Sequence, residues 1–269
     1  MASKALNVAK QVCSYLVAQY KHLKTDAYVI SYPKSGRTWL RVLIGKILCE
    51  QFKLPDEIML DTYKVTTAAS GILRTQLTHD HSSMNEGLRY FELPTDKRKY
   101  AGKKVILLTR NIKDVLVSCY FQATKRIGKY DGNISEFIRS DRYGAKKIIT
   151  FYNTWYQNRG VPKEFLHLKY EDMHNKPEAT LSQTMRFLGL YQVEENLIRD
   201  AIQFASFDNM KVMEKEFMFK ESSMRPANVS DDESFKVRKG VVGGYTSYLS
   251  RDDIDFIDKV KREMSYPFE

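Results

Sequence analysis

The first two dozen residues, MASKALNVAKQVCSYLVAQYKHLK, space their apolar side chains as a helix does and interrupt them with Lys and Gln, predicting an amphipathic helix. A short β-prone run follows, Ala27 to Tyr32. Then come Pro33-Lys34-Ser35-Gly36-Arg37 and a stretch from Thr38 to Leu48 whose apolar positions suit a largely buried helix. The same order of strand, tight loop and helix returns at Lys104 to Thr109, Arg110-Asn111, and a helix through Asp114, Leu116, Val117 and Tyr120. Phe165 to Tyr170 is a third such strand, leading through Glu171-Asp172 into a helix from Pro177 to Leu188, and Leu73 to Asp80 reads as a strand ending in Thr78-His79. The last helix, near Ser250 to Met264, opens on Ser250-Arg251-Asp252-Asp253, an N-cap with an acidic first turn. Met210 to Val237 shows weak periodicity and is expected to form a long loop or lid. Strands alternating with helices predict a single α/β domain over residues 1–269, with a central parallel β-sheet flanked by helices and ligands at the carboxyl ends of the strands.

Composition narrows the class. With 269 residues, 43% of them apolar, 13 Gly and 7 Pro, the chain has enough material for one large core, and disorder, collagen-like repeats and a disulfide scaffold are excluded. Three cysteines (Cys13, Cys49, Cys119) cannot all pair within the chain and lack metal-ligand spacing, which fits a reducing, cytoplasmic setting with no metal. No secretory signal or apolar run long enough to span a bilayer is evident, so no membrane role is expected. An excess of 43 Lys+Arg over 33 Asp+Glu, a net charge of +10, favours an anionic partner. The cations are interleaved with acids rather than blocked together, which speaks against nucleic acid and for a small anionic ligand.

Position sharpens that inference. Pro33-Lys34-Ser35-Gly36-Arg37-Thr38-Trp39 joins a strand to a helix start, where unpaired backbone N–H groups and the helix dipole favour an anion. Gly36 permits close backbone approach, Ser35 and Thr38 add hydroxyls, and Lys34 adds charge. The order differs from the nucleotide-triphosphate loop, since Lys34 precedes Gly36 and a first Gly is missing. Arg110 stands at a second strand end with Ser118 two helical turns later, and Arg238-Lys239-Gly240-Val241-Val242-Gly243-Gly244 pairs two cations with flexible backbone. A dianionic phosphate needs several donors at once, and two separate basic loops suggest two separate phosphates.

Together these segments resemble the soluble sulfotransferases that use 3′-phosphoadenosine 5′-phosphosulfate (PAPS). YPKSGRTW is similar to that family's 5′-phosphosulfate loop, RNIKDVLVS to its 3′-phosphate motif, and RKGVVGGY to its C-terminal RKGxxG segment, with further matches at Tyr170-Glu171-Asp172-Met173 and Ser206-Phe207-Asp208-Asn209-Met210. The resemblance runs in order from about Tyr28 to Met264. It implies that Lys34, Ser35, Gly36, the Arg37 backbone and Thr38 hold the 5′-phosphosulfate, that Trp39 and Phe207 sandwich the adenine, and that Tyr170 and Ser206 contact it. It implies a 3′-phosphate site of Arg110, Ser118, Arg238, Lys239 and Gly240, with Lys34 stabilising the leaving oxygen and Ser118 tethering Lys34 between turnovers. His79 is the implied general base, with His81 as its rival because a one-residue shift exchanges them; His22, His167 and His174 read as structural or exposed. An unperturbed imidazole suits proton abstraction near neutral pH.

The chain also departs from the pattern. Arg37 stands where Thr is frequent, Leu77 where many animal members have Lys, Ala205 for a common Thr, and Gly244-Tyr245 for Asp-Trp; the family's C-terminal dimer signature is absent, which leaves the oligomeric state open. The expected activity is sulfuryl transfer from PAPS to a hydroxyl or amine of a small-molecule acceptor, releasing 3′,5′-ADP. A nucleotide-dependent phosphotransferase and a non-catalytic phosphonucleotide-binding module are the alternatives. Acceptor specificity is expected in four loop-like segments, Thr62-Ala69, His81-Arg89, Lys125-Tyr130 and Phe217-Asn228, and the departures fit a microbial enzyme of natural-product tailoring.

Overall fold

Four parallel strands, β1 (Ala27–Ser31), β2 (Thr75–Thr78), β3 (Lys104–Thr109) and β4 (Glu164–Lys169), lie side by side in the order β2-β1-β3-β4. The computed structural model describes Cys13, residues 16–216 and residues 227–268. The helices are α1 (Arg37–Phe52), α2 (Thr62–Ala68), α3 (Ile112–Phe121), α4 (Ile134–Arg139), α5 (Ala145–Gln157), α6 (Tyr170–Asn175), α7 (Pro177–Phe187), α8 (Glu195–Phe204), α9 (Phe207–Lys215) and α10 (Arg251–Glu263). Residues 16–24 of the N-terminal segment are helical; the rest of that expected helix, apart from Cys13, lies outside the described residues.

Successive strand residues point to opposite faces, and the two cores follow that rule. Ala27, Val29, Ile106 and Leu108 pack with Leu43, Ile44 and Ile47 of α1, Leu181 and Met185 of α7, and Ile198 of α8. Tyr28, Ile30, Val105 and Leu107 pack on the other side with Val115 and Leu116 of α3, Ile148, Tyr152 and Trp155 of α5, and Ile257 of α10. β1 and β3 are covered on both faces, which explains their nearly unbroken apolar sequence. The register pairs Ile30 with Thr78, Ser31 with Leu108 and Thr109 with Lys169, so all four carboxyl ends fall along one edge of the sheet.

Several expectations are corrected. Tyr170 opens α6 instead of ending β4, and β2 begins at Thr75, with the preceding Arg74 carbonyl accepting from the Asp26 and Ala27 N–H groups. The expected loop from Met210 begins as the end of helix α9. Met210 and Met213, one turn apart, are buried in the core, and that periodicity was hidden by the Lys and Glu between and after them. Its middle, 217–226, lies outside the described residues, as does most of the expected acceptor segment Phe217-Asn228. Thr62-Ala69 is helix α2 for all but its last residue, capped by Asp61, whose carboxylate accepts from Lys64 N–H at 3.1 Å. The final helix matches its expectation: Ser250 Oγ accepts from Asp253 N–H at 3.1 Å and Asp253 accepts from Ser250 N–H, a reciprocal cap. Cys13, Cys49 and Cys119 are free, and no described helix is long and apolar enough to cross a membrane.

Candidate active site

The chain leaves β1 at Ser31 and turns through Pro33 to Gly36 into α1. Lys34 (φ 68°) and Gly36 (φ 94°) are both left-handed, and a Cβ on Gly36 would lie 2.3 Å from Cδ2 of Tyr170, so no larger residue fits there. Lys34 Nζ donates to Gln122 Oε1 at 3.4 Å and to the Lys236 carbonyl at 3.2 Å; these, rather than Ser118, hold it in this structure. Burial, aided by the charge of Arg126, lowers its ammonium to about 8. The Ser35 hydroxyl is turned inward onto Tyr152 OH at 2.9 Å, and both groups are buried.

Arg110, just past the end of β3, ties the three sequence segments together. Its guanidinium donates to the Lys34 carbonyl at 3.3 Å and to the Val241 carbonyl at 3.1 Å, and lies 4.1 Å from the centroid of the Tyr170 ring. Two acids that the sequence reading left unassigned fix the last segment. Asp114 accepts from Gly243 N–H (2.8 Å) and Tyr245 N–H (3.0 Å), while Glu214 accepts from Lys236 N–H (2.6 Å) and Val237 N–H (2.9 Å). Both carboxylates are buried, where backbone donors orient them strongly. Between these clamps, Arg238 donates to Glu233 Oε2 (2.9 Å) and Tyr248 OH (2.7 Å), and Lys239 sits 4.7 Å from the Tyr248 ring centroid. Gly240 is left-handed, and a Cβ on it would come within 2.4 Å of Phe207.

The result is a cleft of about 360 Å³ along the carboxyl edge of the sheet, a volume suited to a small ligand. Lys34, Gly36, Arg37, Thr38, Trp39, His79, Arg110, Ser118, Phe207, Arg238, Lys239 and Gly240 all line it. Ser35, Tyr170 and Ser206 do not. Ser35 lies beneath the loop, Tyr170 packs edge-on to Trp39 at 5.8 Å, and Ser206 is the N-cap residue of α9. His174 is exposed as expected yet borders the cleft, 4.7 Å from the Trp39 ring.

His79 and His81 separate cleanly. His79 directly follows β2, and its ring Nδ1 donates to the Ser31 carbonyl at 2.8 Å. Burial, then the charge of Arg37, lowers it to about 3, so the ring is neutral. His81 is 48% exposed, pairs with Glu86 at 3.1 Å and lies outside the cleft. Asp80 between them is buried and anchored by Lys97 (2.6 Å), Lys99 (2.9 Å), Tyr100 OH (2.8 Å) and Trp155 Nε1 (3.2 Å), which fixes the turn after the strand. That network, formed by residues far apart in the chain, has no local sequence signal.

An adenine nucleotide carrying two anionic groups fits these residues. The Nε atoms of Arg110 and Arg238 and the Trp39 indole N–H are buried donors without a hydrogen-bond partner among the described residues, and Gly36 and Gly240 bring backbone against the Tyr170 and Phe207 rings. Fold and site therefore define a phosphonucleotide-dependent transferase of the α/β class. A family model described as "Sulfotransferase domain" matches residues 24–266. The flavonol 3-sulfotransferase of Flaveria bidentis is 26% identical over 260 residues, covering 90% of this chain and 82% of its own, and mouse sulfotransferase 1B1 is 26% identical over 263 residues, covering 93% and 86%. The crystal structure of mouse sulfotransferase SULT7A1 complexed with PAP has a TM-score of 0.63 at 23% identity, over 91% of this chain and 86% of that one, which shows a shared fold. The chain belongs to the sulfotransferase family. Its reaction is PAPS-dependent sulfuryl transfer to a small-molecule acceptor, and the phosphotransferase and non-catalytic alternatives are set aside.

Proposed function

We propose that His79 is the general base of this sulfuryl transfer and that Lys34 stabilises the charge developing on the departing phosphate oxygen. PAPS supplies the sulfuryl group and departs as 3′,5′-ADP. The observation that carries the reading is Arg110 bridging the Lys34 and Val241 carbonyls, since it places three segments remote in sequence around one cleft. Lys34, Gly36 and Thr38 would hold the 5′-phosphosulfate, with Ser35 and Arg37 contributing through backbone. Trp39 and Phe207 would flank the adenine, backed by Tyr170 and Ser206, and Arg110, Ser118, Arg238, Lys239 and Gly240 would hold the 3′-phosphate.

With its Nδ1 proton given to the Ser31 carbonyl, His79 retains an unprotonated Nε2 for the acceptor's hydroxyl or amine proton. Lys34 is positioned before the reaction by Gln122 and the Lys236 carbonyl, so little reorganisation is needed as charge builds up. Titration with 3′,5′-ADP, ADP and a short oligonucleotide, with a mass-spectrometric search for an 80-dalton gain in acceptors incubated with PAPS, tests the reading. A strong preference for 3′,5′-ADP is expected. Equal affinity for ADP would remove the 3′-phosphate site.

A further inference from the structure

Lys34 belongs to a closed ring of contacts whose other members come from outside its own loop. Its Nζ donates to Gln122 Oε1 at 3.4 Å and to the Lys236 carbonyl at 3.2 Å. The Lys236 N–H donates to Glu214 Oε1 at 2.6 Å, and Arg126 Nη1 lies 3.7 Å from the same oxygen. Gln122 and Arg126 are the two ends of one π-helical turn that continues α3, closed by the Ile127 N–H donating to the Gln122 carbonyl at 3.1 Å. From Lys34 the path thus returns to Lys34 through Gln122, Arg126, Glu214 and Lys236.

A π turn is rare, and such turns concentrate at functional sites. This one presents Gln122 to the cleft and Arg126 to the buried Glu214. Glu214 also accepts from the Val237 N–H, so backbone donors and a guanidinium hold one rigid carboxylate. The groups acting on the Lys34 ammonium come from several elements. Burial disfavours its charge most, followed by Arg126 of the π turn, with Arg110 after β3 acting in the same sense, while Glu214 of α9 favours it and Lys236 and Lys34 repel each other. Cys119 of α3 is also near, but burial pushes its thiol up to about 12, so it stays uncharged. An amide suits the remaining place: the Gln122 oxygen accepts from an ammonium without a charge that would repel an anionic donor.

We propose that Gln122 and the Arg126–Glu214 pair are positioning residues for Lys34, which together fix where its ammonium stands and keep it protonated for the departing phosphate oxygen. This rests on the reading of Lys34 as the group that stabilises that oxygen. Gln122 sets the direction of Nζ, and Glu214 acts twice, through the Lys236 backbone that receives Lys34 and by offsetting the repulsion from Arg126. The four substitutions that break the ring therefore have different signs. Removing Arg126, or giving position 122 a negative charge, favours protonated Lys34; removing the Glu214 charge or the Gln122 acceptor disfavours it.

The test reads the alkaline limb of kcat/KM for PAPS in the full chain, expected near 8 in the wild type. Q122E is expected to move the limb upward by about one pH unit, R126M upward as well, and Q122L and E214Q downward. Q122L is also expected to lower kcat about 10- to 100-fold while the Kd of 3′,5′-ADP changes less than about threefold, since the misplaced group acts on the reacting oxygen. Loss of folding lowers the plateau without moving the limb in opposite directions, and where E214Q does not fold, Q122L carries the downward arm. A limb that stays in place in the Gln122 variants, or that moves the same way in Q122E and Q122L, overturns the proposal; one that ignores R126M and a folded E214Q overturns the role of the ion pair. K34M is the control and is expected to lose most turnover. Near wild-type turnover in K34M would instead remove the underlying reading of Lys34, a separate result.

Discussion

The ring of His79 is held by the carbonyl of Ser31, at the end of the neighbouring strand, with Nδ1 and oxygen 2.8 Å apart. A carbonyl only accepts, so Nδ1 bears the proton and Nε2 keeps its lone pair. Parallel register between β1 and β2, pairing Ile30 with Thr78, is what brings these two residues together. His79→Ala is therefore expected to lower kcat/KM by about 10²- to 10⁴-fold, the usual scale for a positioned base, while 3′,5′-ADP still binds. His81→Ala is expected to stay near wild type. Steady-state kinetics of both variants checks the assignment; the reverse ranking would exchange the two histidines.

The pH profile should be one-sided. His79 is lowered to about 3 and is unprotonated at every ordinary pH, so the acid limb of the proposed base falls outside the accessible range. Lys34, lowered to about 8, acts in its charged form, which is lost as pH rises through that value in the free protein. The expected kcat/KM for PAPS is flat from about pH 5 to 7.5 and falls above about 8. In kcat the same limb moves upward, because bound anions favour protonated Lys34. An acid limb near 6.5 would contradict the depressed imidazole.

Gly240→Ala tests the close approach to Phe207. The added carbon would sit 2.4 Å from the ring at a left-handed backbone position, so either the ring or the segment moves. A strain of about 1–3 kcal/mol corresponds to roughly 5- to 150-fold weaker binding of 3′,5′-ADP. Calorimetry measures it, and an unchanged Kd would place the adenine elsewhere.

Asp114 acts through Gly243 and Tyr245, and it is a positioning residue for the Arg238-Lys239-Gly240 segment. Asp114→Ala leaves two backbone donors unpaired, a cost of about 1–3 kcal/mol each where they stay buried. The discriminating readout is the ratio of affinities for 3′,5′-ADP and ADP. That ratio is expected to drop about tenfold, whereas general unfolding would reduce both affinities together.

Lys147 on α5 is fully buried, and its Nζ has no hydrogen-bond partner among the described residues. Burial lowers its ammonium from 10.5 to about 8, so the charged form is disfavoured in the folded chain. The resulting penalty is full below pH 8 and fades as pH rises toward 10.5, where the unfolded chain also loses the proton. Lys147→Met is expected to stabilise by about 1–3 kcal/mol at pH 7, roughly 3–8 °C in Tm, with the gain vanishing near pH 10.5. Thermal denaturation at both pH values checks sign and window.

Much of the site was legible because backbone chemistry leaves local marks. Gly36 in a strand-to-helix turn, Arg110 at a strand end and Gly240 after two cations each need only a few neighbouring residues to declare themselves. Asp114 lay inside a noticed motif, but its partners, Gly243 and Tyr245, are more than a hundred residues away. Glu214, Tyr152, Gln122 and Lys236 gave no signal, since an acid, a tyrosine, a glutamine and a lysine on a helix or loop look alike whether they face solvent or a cleft.

Residue order thus determined which segments form strands and helices, because side-chain alternation and turn chemistry act over a few residues. Its motifs also marked the loops that the structure brings to one cleft, those of Lys34, Arg110 and Arg238-Lys239-Gly240. Only the tertiary structure buried His79 against the Ser31 carbonyl at the cleft while leaving His81 exposed, turned the Ser35 hydroxyl inward to Tyr152, and brought Arg37 and Lys236 to the cleft that His79 lines. The reason is physical: burial, orientation and mutual charge are properties of atoms brought close in space, and β-sheet register and helix packing set those distances over separations that local sequence does not encode.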